Sequence, residues 1–208
     1  MYSEDVNLSP LVEAIVSLAN IRRVCCSNYD DVLEEGYTRL GTGYRPLVPG
    51  DDIPLDGDEV LIVHPHGFLP RAAYSRDYRM EPIVLSEDDY HDLYASPYRW
   101  ANVIQLNLFV SFAVLFVGCS LKDPNLRRLL DTSKKLRISN HFALMREPTY
   151  QSDKGKTSSH QRKQPRWWEE MWSSFYKKVA TENLVDRGIT PIWYKQHSDV
   201  PRILREIA

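Results

Sequence analysis

Three apolar runs in this chain each end in residues able to do chemistry. The first, Arg22-Arg23-Val24-Cys25-Cys26, runs into Ser27-Asn28-Tyr29-Asp30. The second, Glu59-Val60-Leu61-Ile62-Val63, runs into His64-Pro65-His66-Gly67. The third, Ala113-Val114-Leu115-Phe116-Val117, runs into Gly118-Cys119-Ser120 and then Asp123-Pro124-Asn125. A carboxamide like that of Asn28 can orient a ligand with both a donor and an acceptor. An imidazole like that of His66 suits a general base, because its unperturbed pKa lies near neutrality. Gly118 lets a ligand approach the backbone, and a helix starting at Asp123-Pro124 offers N–H groups to an anion.

Each of these residues also has a plainer reading. Asn28 and Asp30 can cap the helix that follows; if Asp30 does so, Asn28 is left to face a cleft. His64 and His66 can be two polar residues at a strand terminus. Alternation puts both rings on one side while the strand stays extended, but Pro65 is placed to end it. A His-x-His pair without a third ligand does not make a metal site, so no metal is expected. Cys119 has nothing basic near it in sequence and reads as a buried, inert thiol.

The elements that must position these residues alternate along the chain. Ser9-Pro10 opens a short helix ending near Asn20. Strand 22–27 follows, then a helix over 30–40 that Gly41 stops. Residues 44–58 hold three prolines, two glycines and four aspartates and read as a loop. After strand 60–63, residues 68–112 form a small helical module, with one helix from Ser86 to Tyr94 and another opening at Pro97. Strand 114–117, a helix from 124 to about 136, strand 141–145, a helix over 167–185, strand 189–194 and a helix over 202–207 complete the chain. The polar, basic stretch 149–166 reads as a mobile surface loop, with residues 151–166 poorly ordered. Trp168, Trp172 and Phe175 share a helical face and are expected to pack in the core. The alternation predicts one α/β domain with a Rossmann-like, mainly parallel sheet, and the three chemistry-bearing run ends then meet at its carboxyl edge, where ligands bind in such folds.

Composition narrows the function classes. The chain has 208 residues, 43% apolar and 26% charged, with a net charge of −2. No global field draws it to nucleic acid or to a membrane surface. Three cysteines without a CxxC pair exclude a zinc ribbon and suit a reducing, cytoplasmic setting. The longest apolar run, near 106–117, is interrupted by Asn107 and Ser111 and is too short to span a bilayer.

Taken together, these stretches resemble the sirtuin-like domain of bacterial antiphage defence proteins. Cys26-Ser27-Asn28-Tyr29-Asp30-Asp31-Val32-Leu33-Glu34 is similar to that family's Thr-Thr-Asn-Tyr-Asp-x-x-Leu-Glu. Val63-His64-Pro65-His66-Gly67 is similar to its His-x-His-Gly segment. Phe116-Val117-Gly118-Cys119-Ser120-Leu121, with Asp123 and Asn125, is similar to its Gly-x-Ser-hydrophobic-x-Asp-x-Asn segment. The resemblance implies a Rossmann-like fold with a small helical module and NAD as the ligand. It implies that Asn28 positions the nicotinamide ribose and the attacking water, and that His66 is the general base. It places Ser27, Asp30, Gly118, Cys119, Ser120, Asp123 and Asn125 among the NAD contacts. The implied reaction is hydrolysis of NAD to nicotinamide and ADP-ribose. A non-catalytic nucleotide-binding or assembly subunit is the alternative, and an NAD-dependent protein deacylase the third reading. The expected partners are NAD and either a second copy of the chain or another defence protein.

The family opens with a strand and a Gly-Ala-Gly-x-Ser loop around the NAD phosphates, and residues 1–21 contain no counterpart. The corresponding expectation is weak binding and slow or no turnover by this chain by itself, with turnover restored when the phosphate-binding segment is supplied. The missing strand would leave a sheet edge or an apolar face that invites association.

Overall fold

The structure is a computed structural model that describes residues 8–52, 54, 57–71, 83, 86, 96–136, 140–149 and 165–207. It is α/β with parallel sheets, as the alternation of elements indicates. The chain divides into two compact units, one formed by Met1–Asn107 with Val200–Ala208 and the other by Leu108–Asp199. The expected helix between Ser86 and Tyr94 and the segment 150–164 of the basic loop lie outside the described residues. So do most of residues 68–99, the first part of the helical module expected over 68–112. Among the described residues, no helix is long and apolar enough to cross a membrane.

The first unit holds a three-stranded parallel sheet. Its strands are β1 (Arg23–Cys25), β2 (Tyr44–Leu47) and β3 (Val60–Val63), in the order β1-β3-β2. β3 is buried at all four positions, which is why it reads as an unbroken apolar run rather than an alternating one. The two sides of its pleat meet different partners. Val60 and Ile62 pack with Val16 of α1 (Pro10–Val16) and Tyr37 of α2 (Val32–Leu40). Leu61 and Val63 pack with Leu47 and with Ile104 of α3 (Trp100–Ser111). Full burial of each such side chain contributes about 1.5–3 kcal/mol relative to exposure. Ser9 caps α1 by accepting from the Val12 N–H, with Pro10 as the first helical residue. Gly41 ends α2 in the left-handed region at φ 67°, which glycine adopts without a Cβ clash.

β2 corrects the reading of 44–58 as loop throughout. Its four residues carry Pro46, and prolines and aspartates crowd the chain after it, so local composition masks the strand. Pro46 is tolerated because β2 lies at the sheet edge among the described residues, where no ladder donor is needed on the open side. α1 also ends at Val16 rather than near Asn20.

The second unit holds another three-stranded parallel sheet, formed by β4 (Leu115–Phe116), β5 (His141–Arg146) and β6 (Ile189–Tyr194). β4 pairs with β5 and not with β1 or β3, so the three run ends do not share one hydrogen-bonded ladder among the described residues. α4 (Pro124–Leu136) buries Leu129 and Leu130. The last helix, α6, spans Asp199–Glu206, belongs from Val200 onward to the first unit, and buries Val200, Pro201 and Leu204. α5 (Arg166–Val185) departs from the expected core packing. Trp168 and Trp172 are half-buried, and Trp172 stacks on Tyr176 with ring centroids 5.1 Å apart. Phe175, however, is exposed, as are Met171 and Trp167 one and two turns before it. Helical spacing identified a common face correctly, but not how far that face is covered.

Candidate functional site

The carboxyl end of β1 and the loop after β3 border an open cleft of about 450 Å³, lined by Ser27, Asn28, Tyr29, Asp30 and Leu69. Ser27, Asn28 and Asp30 are exposed there. The volume lies within the range of roughly 300–1,000 Å³ usual for small-ligand sites. Backbone and ionic contacts join its two walls. Leu69 N–H donates to the Tyr29 carbonyl at 2.7 Å. Arg71 donates to the Asp31 carboxylate through its backbone N–H and its Nε, each at 2.9 Å, and to Glu35 Oε2 at 3.3 Å. Hydrogen bonding to Asp31 holds the Arg71 guanidinium above its already high ordinary pKa.

Asp31, not Asp30, is the N-cap of α2, and it makes no side-chain cap hydrogen bond. Asp30 Oδ1 accepts from the N–H of Val32, the first residue of α2, at 3.2 Å. Asn28 is exposed and lines the cleft.

Beneath Asn28 lies His64, with no exposed surface. Position 64 continues the side of the pleat that carries Val60 and Ile62, so its ring points towards α2. There Nε2 meets Glu34 Oε1 at 2.8 Å, and Nδ1 lies 3.1 Å from the backbone carbonyl oxygen of Asn28. A carbonyl can only accept, so Nδ1 carries a proton and donates it to Asn28. Phe68 packs on the ring with centroids 4.2 Å apart. Glu34 is itself buried, and its Oε2 has no hydrogen-bond partner among the described residues; neither has the buried Tyr37 hydroxyl one turn along α2. Burial, and then the nearby Glu34 charge, raise the Tyr37 pKa.

β3 stops at Val63, and Pro65 and His66 form a turn in which Gly67 N–H donates to the His64 carbonyl at 3.2 Å. Gly67 takes φ 102°, which a residue with a side chain rarely adopts. The two imidazoles therefore part: His64 is enclosed, while His66 is half-buried in the turn three residues before Leu69. Sequence reasoning treated His64 only as the neighbour of His66 and gave Glu34 no chemical role. The parity of His64 with Val60 and Ile62 was the available signal for its burial.

Cys26 packs against the cluster of Val16, Tyr37, Val60 and Ile62. Burial pushes its thiol up to about 11; an Asn28 backbone hydrogen bond opposes this, and the Glu34 and Asp30 charges add to it. It is thus a protonated, unreactive thiol at neutral pH.

The remaining candidate residues lie in the second unit, between β4 and the first turn of α4. Gly118 takes φ 68° and Leu121 φ 55°, so the chain turns sharply twice in four residues. A left-handed leucine is uncommon, and here its side chain is buried while its carbonyl accepts from Arg127 Nε at 2.9 Å. Cys119 is half-buried rather than enclosed, and Ser120 Oγ accepts from Lys122 N–H at 3.4 Å. Asp123 caps α4 by accepting from Leu126 N–H at 2.6 Å. Asn125 is buried, and its Oδ1 accepts from Arg128 Nη2 at 2.7 Å. No group of three or more His, Cys, Asp or Glu side chains able to hold a metal ion occurs among the described residues.

The chain is similar to Defense-associated sirtuin 2 of Bacillus subtilis, at 22% identity over 136 residues. That match covers 65% of this chain and 13% of the relative, so the chain spans only a small part of that protein's length. The SIR2-like domain family matches residues 22–176, a stretch that runs from the start of the Asn28 segment into α5 and takes in well over half of the chain. The chain belongs to the SIR2-like domain family.

Proposed function

We propose that this SIR2-like domain binds NAD and hydrolyses it to nicotinamide and ADP-ribose as part of bacterial antiphage defence. The observation that carries the reading is Asn28, presented at a ligand-sized cavity on the carboxyl side of a parallel sheet. Family membership and the likeness to a defence-associated sirtuin support the ligand and the setting. Cleavage of the nicotinamide–ribose bond passes through an oxocarbenium-like state and releases a neutral group, so no general acid is required. Asn28 orients the ribose and the incoming water with its carboxamide. His66 takes the proton that the water gives up. Ser27 and Asp30 offer hydrogen-bonding oxygens beside Asn28. Gly118, Cys119, Ser120, Asp123 and Asn125 carry over as NAD contacts from the same resemblance. The setting is the cytoplasm, with a second copy or another defence protein as partner.

The test is nicotinamide release from NAD by the purified protein, alongside calorimetric NAD binding. Slow release is expected from the 208-residue chain by itself, and faster release when the phosphate-binding segment is supplied. His66→Ala should bind NAD but release nicotinamide about 10²–10⁴-fold more slowly, the contribution usual for a general base. Asn28→Ala should lose both. With the phosphate-binding segment supplied, binding without release would replace hydrolysis with the non-catalytic reading, and absence of both would overturn the assignment of NAD. Release that requires an acetyl-lysine peptide would indicate a deacylase.

A further inference from the structure

Glu34 and His64 form a buried polar pair that no step of the proposed reaction uses. The side chains are 6% and 0% exposed, and their contact is 2.8 Å long. As a device for stability it is a poor one. Taking polar or charged groups out of water costs several kcal/mol per ion, and a well-packed apolar pair of similar volume usually serves as well or better. Glu34 Oε2 is left without a hydrogen bond, which adds to the penalty. The pair does have one specific output. His64 Nδ1–H reaches the backbone carbonyl of Asn28, the residue that faces the cavity.

We propose that Glu34 and His64 are positioning residues for Asn28, with Glu34 holding the His64 ring through Nε2 and Nδ1–H holding the Asn28 carbonyl. The importance of that hold for ligand chemistry rests on the reading of Asn28 as an NAD-facing residue. The geometry explains why an imidazole is needed. It presents two ring nitrogens in opposite directions on a rigid frame, one towards α2 and one towards the turn after β1. Phe68, packed against the ring at a tilt of 32°, limits its rotation. A second tie, from Leu69 N–H to the Tyr29 carbonyl, fixes the next residue of the same turn. Asn28 and Tyr29 are thereby both held by main-chain acceptors, which fixes the backbone from which the Asn28 carboxamide projects. Errors of about 1 Å in such a group can lower a rate a hundredfold.

The test compares two substitutions in the isotopically labelled 208-residue protein. An asparagine amide can reach where imidazole Nδ1 stood, and a glutamine amide where Nε2 stood. His64→Asn should therefore keep the hold on Asn28, and His64→Gln should keep only the contact with Glu34. Backbone order parameters of residues 28–30 should stay near about 0.85 in His64→Asn and fall below about 0.6 in His64→Gln. The NAD-induced shift of the Asn28 side-chain amide should persist in the first and vanish in the second. Equal order at 28–30 in the two variants, whether retained or lost, would overturn the proposal. If His64→Gln does not fold, the wild type decides: a through-hydrogen-bond coupling between His64 Nδ1–H and the Asn28 carbonyl supports the hold, and its absence overturns it. If the NAD reading is what fails, the wild-type Asn28 amide will not respond to NAD, while the difference in order between the variants remains.

Discussion

Cys26 and Asn28 are two residues apart, yet one is committed to the core and the other to a cavity. Residues two apart share a face only while a strand continues; β1 ends at Cys25, and the turn through Ser27 carries Asn28 away from the core. Burial holds the Cys26 thiol at about 11, from an ordinary 9.0. Since the thiolate is the nucleophile, its population at mildly alkaline pH should be about a hundredfold below that of an unperturbed thiol. Alkylation followed by peptide mapping should therefore modify the exposed Cys25 well before Cys26, with Cys26 gaining reactivity only as the pH approaches 11. Rapid labelling of Cys26 at pH about 8 would contradict its placement against Val16, Tyr37 and Ile62.

Among the elements, α1 and α2 meet closely because α2 carries a glycine in its middle. A Cβ at Gly36 would lie 2.9 Å from Val16 Cγ1 and 3.3 Å from Val12 Cγ1. Both neighbours are β-branched and stiff, so neither can swing aside at low cost. In an exposed helix, glycine to alanine would stabilise by about 1 kcal/mol. Here overpacking of about 1–3 kcal/mol opposes that gain. Gly36→Ala is expected to leave the domain about 1 kcal/mol less stable in urea unfolding, the balance of those two effects. A stabilised variant would show that α1 does not lie where the structure has it. This contact also bears on the candidate site, because α2 carries Glu34 on the turn before Tyr37, and a shift of α2 would move the partner of His64.

Acid should act on the whole molecule through the second unit. His141 at the start of β5 is 1% exposed, flanked by Phe109 and Phe116, and its Nδ1 accepts from Val114 N–H. Burial lowers its pKa below 6.5, so the folded protein keeps it neutral while the unfolded chain takes up a proton. The unfolded state then binds more protons throughout the window from about 6.5 down to the lowered folded value, and stability rises with pH across it. Acidification through that window is therefore expected to lower the melting temperature. His141→Asn, which keeps an acceptor for the Val114 N–H, should flatten the slope. Calorimetric scans between pH about 5 and about 7.5 compare the two proteins, and identical slopes would remove His141 as the cause.

How much of this could be read beforehand depended on whether a feature is local. Strands 60–63 and 189–194 and the helices around 32–40, 124–136 and 166–185 announce themselves through runs, periods and caps, because backbone hydrogen bonding and burial act over a few neighbouring residues. The parallel α/β class and the polar turn ending at Asp30 follow from the same local rules. β2 was hidden because four residues with Pro46 among them gain their place only from pairing with β3. The exposure of Phe175 was hidden because periodicity identifies a face without saying what covers it. The separation of His64 from His66 depended on where β3 stops, and the bond from His64 to Glu34 spans 30 positions in sequence. Sequence by itself determined which residues could do chemistry and the strand ends on which they stand. Only the tertiary structure decided that one histidine is enclosed between Glu34 and the Asn28 carbonyl, because that contact requires the β3 pleat and α2 to be packed together.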